Sequence, residues 1–214
     1  MTDVTFAVLG IESEPYAVTP RLNARLGVVA VGEEPVHAIA LRAQVRIEPT
    51  RRAYSDDEAA GLLDLFGPRE RWSNTLHNFQ WLQASVMVQG FTGATQVTLP
   101  LECTYDFEVA AAKYLHALRD GGVPLQFLFS GTVFHHGTRG FSVQQVSWDC
   151  EDRYDMPVSV WRELIEQHYP STGWLRLNHD TIEALGAYRS ARGLLSFDEA
   201  VASLLAASST EEIR

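Results

Sequence analysis

Cysteine is scarce in this chain: two in 214 residues, Cys103 and Cys150. A disulfide framework that staples a small loop-rich domain needs more. Cationic charge is in short supply too. Lys and Arg number 17 against 27 Asp and Glu, which gives a formal net charge of -10 and a pI of about 5.1. A field of that sign repels phosphate backbones and argues against nucleic acid as a partner. No run of about 18 apolar residues occurs, so no transmembrane helix and no membrane partner are expected. The opening "MTDVTFAVLGIESEP" lacks a basic stretch followed by a long apolar run and a cleavage site. No signal peptide is expected, and the cytoplasm is the expected compartment. Signatures of cofactor chemistry are missing as well. The chain holds no P-loop, no G-x-G-x-x-G, no G-x-S-x-G, and no CxxC, HxH or HExxH. No cofactor is expected.

What is present is apolar material in a regular pattern. Hydrophobic residues make up 46% of the chain and charged residues 21%, enough to fill a core without metal or disulfide staples. In "VHAIALRAQVRI", Ile39, Leu41, Val45 and Ile47 fall on one face. Ala40, Arg42, Gln44 and Arg46 fall on the other. That alternation predicts a strand with one wet face. Val4–Ile11 and Leu22–Val31 read as two more strands, with "GEEP" at Gly32–Pro35 as a hairpin turn before the Val36 strand. Further strands are predicted near Asn78–Val88 and Gln96–Cys103, joined by "QGFTGAT".

Helix signals interrupt this pattern twice. "YSDDEAAGLLDLFGP" opens on a capping box, Ser55 with Glu58, and stops at Gly67-Pro68. "YDFEVAAAKYLHALRDGG" repeats Phe107, Ala110, Ala111, Tyr114, Leu115 and Leu118 at helical spacing, with Asp106 as its expected cap. After Asp149 the composition turns helical. "DMPVSVWRELIEQHYP" places Trp161, Leu164, Ile165 and His168 on one face. Asn178 caps a helix to about Arg192, and Ser196 with Glu199 opens another. The expected class is α+β: an antiparallel sheet or sandwich over residues 1–153 with two inserted helices, and a C-terminal helical region, 154–214, packed on it.

"FSGTVFHHGTRGFSVQQVSWDCED", Phe129–Asp152, is the stretch with the most metal-ligating residue types. On a strand His135 and His136 point to opposite faces, so they do not share an ion without a bend. Cys150 lies at the far end of the partner strand. Three or four convergent ligands are what zinc requires, so His135, His136 and Cys150 are weak metal candidates and a hairpin is the expected reading. The acids around Cys150 raise its thiol pKa and argue against a catalytic cysteine. "DCEDRYD" is expected as a solvated turn, with Asp155 starting the next helix.

The last 32 residues of ordered pattern, "WLRLNHDTIEALGAYRSARGLLSFDEAVASLL", are similar to a ribbon-helix-helix module, which would make the chain a DNA-binding dimer. Only Arg176 and Asn178 would serve as base readers, and the acidic charge opposes it. A packing tail or a homodimerisation element is the stronger reading.

"GFTGATQVTLPLECTYDFEVAAAKYLHAL", followed by "GVPLQFLFSGTVF" and "WLRL", resembles a family of uncharacterised actinobacterial proteins over most of the chain. Members often lie near genes for [NiFe] hydrogenases and their accessory proteins. The resemblance implies an accessory or assembly role with a hydrogenase subunit or maturation factor as partner. It transfers no catalytic residue to any position here.

Two functions follow. The first is a non-catalytic accessory protein that holds a protein partner through exposed aromatics near turns: Trp72, Trp81, Phe91, Tyr105 and Trp148. The second is an enzyme using His77, Asp106, Glu108 and His116 around one helix, which predicts a pocket where at least two of them converge.

Overall fold

The computed structural model describes residues 3–32, 35–104, 109–137, 140–173 and 175–211. Alternation of apolar and polar residues builds eight strands: β1 (Asp3–Ser13), β2 (Arg21–Val31), β3 (Val36–Ile47), β4 (Phe79–Phe91), β5 (Ala94–Glu102), β6 (Gly122–Gly137), β7 (Gly140–Gln145) and β8 (Glu151–Pro157). All pairings are antiparallel. The first sheet has the order β1-β2-β5. The second runs β4-β3-β6-β7, with β8 also paired to β6. The class is therefore α+β with antiparallel sheets, as the sequence predicts.

The two sheets face each other across one core. Val4, Phe6 and Val8 of β1 and Leu22, Leu26 and Val28 of β2 point inward. So do Ile39, Leu41, Val45 and Ile47 of β3 and Leu125, Phe127 and Phe129 of β6. Phe6 stacks on Phe129 from the opposite sheet at 4.9 Å. This is the interdigitated inner layer of two packed sheets, wet on their outer faces. The faces assigned to β3 by alternation hold: Ile39 and Val45 are fully buried and Arg42 is exposed.

Neighbour relations depart from the sequence reading at three places. β2 and β3 lie in different sheets, so the hairpin predicted between them does not form. β4 and β5, also consecutive, likewise lie in different sheets. Alternation fixes which face of a strand is wet but not which strand lies beside it, so both crossings are invisible to it. "DCEDRYD" enters β8, whose only fully buried residue is Met156. Its inward positions, Asp152, Tyr154 and Met156, alternate but include one plainly apolar residue, and the ladder to β6 makes it a strand. The edge of β1 is covered from there: the Val8 amide donates to Asp152 Oδ2 at 2.6 Å, and Cys150 Sγ lies 3.4 Å from the Val4 carbonyl. Pro100 sits in β5, an edge strand that can spare a donor.

Between β3 and β4 come α1 (Asp56–Gly61), α2 (Leu63–Phe66) and α3 (Trp72–Thr75). The predicted capping box is present in full, Ser55 accepting from the Glu58 amide and Glu58 from the Ser55 amide. α4 (Ala110–Ala117) begins at Val109 without a side-chain cap; its expected cap Asp106 lies outside the described residues, as does Phe107. α5 (Val158–His168) buries Val158, Trp161 and Leu164, and its Trp161 meets Trp81 of β4 edge-on at 6.1 Å.

The chain divides into two compact units, residues 1–174 and 175–214, with α5 in the first. The second is a helical hairpin of α6 (His179–Arg192) and α7 (Phe197–Glu211). Gly193 closes α6 in the left-handed conformation, with φ 65°. Ser196 Oγ accepts from the Glu199 amide as the second predicted capping box requires, and Ala200 is its buried contact. Tyr188 and Ser203 join the helices at 2.9 Å. Residues 175–178 form no strand.

Candidate partner-binding face

The outer face of the second sheet carries a shallow depression of about 500 Å³. Register builds it from three strands. Arg42 of β3 stands opposite Ser85 of β4 and Ser130 of β6, and Gln44 stands opposite Gln83 and Leu128. Trp148, in the turn between β7 and β8, completes the lining and is 94% exposed.

The turn that presents Trp148 is fixed by the main chain. The Val146 amide donates to the Gly131 carbonyl, and the Phe129 amide to the Cys150 carbonyl, each at 2.9 Å. These two bonds bracket the excursion on both sides. Within it the Cys150 amide donates to the Ser147 carbonyl at 3.3 Å, and the Ser147 hydroxyl donates to the Asp149 carboxylate. Gly131 lies under the turn at φ 154°, and a Cβ there would stand 2.2 Å from the Ala40 carbonyl oxygen. Only glycine permits that approach. The result is an indole held in water beside a floor of amides, hydroxyls and one guanidinium. The described lining offers Arg42, Gln44, Gln83, Ser85 and Ser130 as polar contacts beside Ala43, Ala84, Leu128 and Phe129.

A second exposed feature escapes the sequence reading. Tyr16 and Val18, in the loop between β1 and β2, are 92% and 98% exposed. The loop is tied down from both sides. Glu14 accepts from Asn23 Nδ2 at 2.7 Å, Gln167 donates to the Pro15 carbonyl, and His168 Nε2 lies 3.1 Å from the Ala17 carbonyl. Pro15 and Pro20 mark the loop in the sequence, but its anchors come from α5, some 150 residues away.

The other predicted anchors lie elsewhere. Trp72 is half-buried, donates to the Gly67 carbonyl at 2.9 Å and packs edge-on against Tyr54 at 5.1 Å. Trp81 and Phe91 are half-buried and pack on the core. Tyr105 lies outside the described residues, together with Asp106, Glu108 and Trp174. Of the enzyme candidates, His77 is exposed between α3 and β4, and His116 is exposed on α4. Partial burial, then the charges of Arg119 and Arg162, push the His116 pKa below its ordinary value.

His135 and His136 stand on opposite faces of β6, as alternation predicts. His136 is exposed; His135 is 8% exposed, and neither of its ring nitrogens has a hydrogen-bond partner. Cys150 lies against β1, away from both. Among the described residues, no three His, Cys, Asp or Glu side chains gather where they could hold a metal ion.

Two buried carboxylates serve the scaffold. Glu58 accepts from Arg52 Nη2 and the Arg119 amide at 2.8 Å each, and from the Ser55 amide at 3.0 Å. Burial alone would raise its pKa. The two amides and the guanidinium outweigh that and hold it below the usual carboxylate range. Glu48 is held by Arg51, Arg153 and Asn78. Both tie helix-bearing loops to strand ends.

A family model matches residues 1–213; it describes a family of unknown function, DUF6084. No curated protein matches the chain. Among solved structures, a β-glucosidase from Kluyveromyces marxianus is 9% identical over 72% of this chain and 15% of its own, with a TM-score of 0.27. AggA, the major subunit of aggregative adherence fimbriae type I from Escherichia coli, is 11% identical over 73% of this chain and 94% of its own, with a TM-score of 0.29. β-Glucosidase 3B from Thermotoga neapolitana is 7% identical over 72% of this chain and 17% of its own, with a TM-score of 0.26. This chain thus spans about a sixth of either glucosidase.

Proposed function

The chain belongs to DUF6084, and from that premise we propose that it is a non-catalytic accessory protein that holds a protein partner on the outer face of its second sheet. The observation that carries this reading is Trp148: a nearly fully exposed indole on a turn fixed by main-chain hydrogen bonds, beside a groove lined by three strands. Leaving a large apolar ring in water has a free-energy cost that burial in an interface recovers. Tryptophan is also the side chain most enriched among residues that dominate binding energy. The partner we favour is a [NiFe] hydrogenase subunit or maturation factor in the cytoplasm of an actinobacterium, on the strength of the sequence resemblance.

The test is paired affinity purification of the tagged chain and its Trp148→Ala variant from the native host, with quantitative mass spectrometry. A partner retained by the first and depleted about thirty-fold or more by the second is expected, the effect of losing an anchor worth about 2 kcal/mol. Equal recovery of every co-purifying protein with both baits would remove Trp148 from the interface.

A further inference from the structure

A pair of histidines on adjacent strands forms a feature that partner binding does not use. β3 and β6 are hydrogen-bonded neighbours. Val36 stands opposite His135 and Ala38 opposite Phe134, with a register shift between Val36 and Ala38, so His37 is the extra residue of a bulge. On the other side the β3–β4 register runs on unbroken, Val36 with Phe91 and Ala38 with Gln89, which sets His37 across from Gly90. The bulge breaks the alternation. Val36 is buried, His37 exposed and Ala38 half-buried before Ile39 returns to the core. His37 therefore reaches the outer face next to His136, and the two ring centroids lie 6.3 Å apart.

The bulge has a matching glycine. A Cβ on Gly90 of β4 would stand 2.8 Å from the His37 carbonyl oxygen and 3.3 Å from that of Val36. Beside it lies an open surface cavity of about 400 Å³, lined by Pro35, Val36, His37, Gly90 and His136. Bulges of this kind re-aim side chains and are enriched beside functional sites.

We propose that His37 and His136 form a two-imidazole site for a divalent first-row transition-metal ion, with its remaining coordination positions open to the cavity. The geometry supports this. With metal–nitrogen bonds of about 2.0–2.1 Å, two imidazoles on a tetrahedral ion have centroids about 5 Å apart, and wider angles bring this to about 6 Å. The observed 6.3 Å needs closure of about 1 Å for a tetrahedral ion and about 2 Å for two cis equatorial ligands, within reach of side-chain rotations of two exposed rings. Ligation uses one nitrogen of each ring and leaves the other for a hydrogen bond. The backbone carrying both rings is pinned by ladders on both sides of β3. A chain of net charge -10 favours a cation at its surface. Nitrogen ligands select Cu²⁺ over Ni²⁺, Zn²⁺ and Co²⁺, and disfavour Mg²⁺ and Ca²⁺, which take oxygen. The sequence reading weighed His136 with His135, its covalent neighbour. Its spatial partner is His37, 99 positions away.

The experiment uses the full chain with CuSO₄ and ZnCl₂ as probes. Calorimetry is expected to show one high-affinity Cu²⁺ per chain, and electron paramagnetic resonance to show equatorial coordination by two imidazole nitrogens. His37→Ala and His136→Ala should each weaken Cu²⁺ binding by about tenfold or more, about 1.4 kcal/mol. The double variant should lose the high-affinity event, while His77→Ala, at another exposed histidine, leaves it unchanged. Both sites are exposed, so unchanged thermal unfolding of the variants separates lost binding from lost fold. A double variant that binds Cu²⁺ as the parent does, or a parent spectrum with a single nitrogen, overturns the assignment.

Discussion

Arg52 donates to Glu58 across 2.8 Å with both side chains almost wholly enclosed, 10% and 3% exposed. The same guanidinium reaches the carbonyls of Asp120 and Gly122, so one residue ties α1 to the start of β6. Removing one member of a buried pair strands the other's charge. Arg52→Ala is expected to lower unfolding free energy by about 3–5 kcal/mol, read as a lower urea midpoint.

Glu58 also sets an acid limit. Its folded pKa lies below the unfolded value, so its contribution is present above about pH 4.3 and fades as pH falls through the lower folded value. Glu58→Gln should therefore cost stability at pH 7 and flatten the decline of urea stability from about pH 5 downward. Parallel pH profiles for parent and variant would show that Glu58 is not the titrating group.

The Tyr54 and Tyr114 hydroxyls share a hydrogen bond of 2.8 Å. Burial, the largest cause, raises the Tyr54 pKa to about 12 and raises that of Tyr114 as well. Groups with raised values contribute stability below the unfolded pKa of about 10 that is lost as pH rises through the folded value. Absorbance titration near 295 nm should show Tyr54 and Tyr114 silent until alkaline unfolding. In Tyr54→Phe, the silent population should fall by one tyrosine.

Gly131 cannot be replaced cheaply. A Cβ at φ 154° and 2.2 Å from the Ala40 carbonyl forces β6 away from β3. Gly131→Ala should destabilise by about 3 kcal/mol or more and shift amide signals around Trp148. Gly186, with nothing near its Cβ position and no left-handed φ, is the control.

Exposure separates the tryptophans. Trp148→Ala should change stability by no more than about 0.5 kcal/mol, whereas Trp161→Ala, fully inside, should cost about 3–5 kcal/mol. Thermal or urea unfolding distinguishes the two directly.

Several elements were legible from residues alone. The Ser55–Glu58 box, the wet and dry faces of β3, the β6–β7 hairpin and the opposed directions of His135 and His136 all follow from local spacing, and all appear in the fold. Trp148 was picked out as an aromatic beside a turn, and the structure leaves it exposed. β8 was not legible, because its inward positions, Asp152, Tyr154 and Met156, include only one plainly apolar residue. Tyr16 and Val18 were not, because nothing local says that Gln167 and His168 anchor their loop.

The sequence by itself determined local matters: strand faces, the two capping boxes, the acidic field and the scarcity of cysteine; Asp155, expected to start a helix, lies in β8, and α5 starts at Val158. Each depends on neighbours within a few positions or on simple sums. Tertiary structure alone decided which strands adjoin. It sent β2 and β3 to different sheets, folded the turn of Trp148 over Gly131, and set His37 beside His136 across a bulge. Those relations join residues up to about a hundred positions apart, and long-range pairing is chosen by the packing of the whole core, which no short window of residues records.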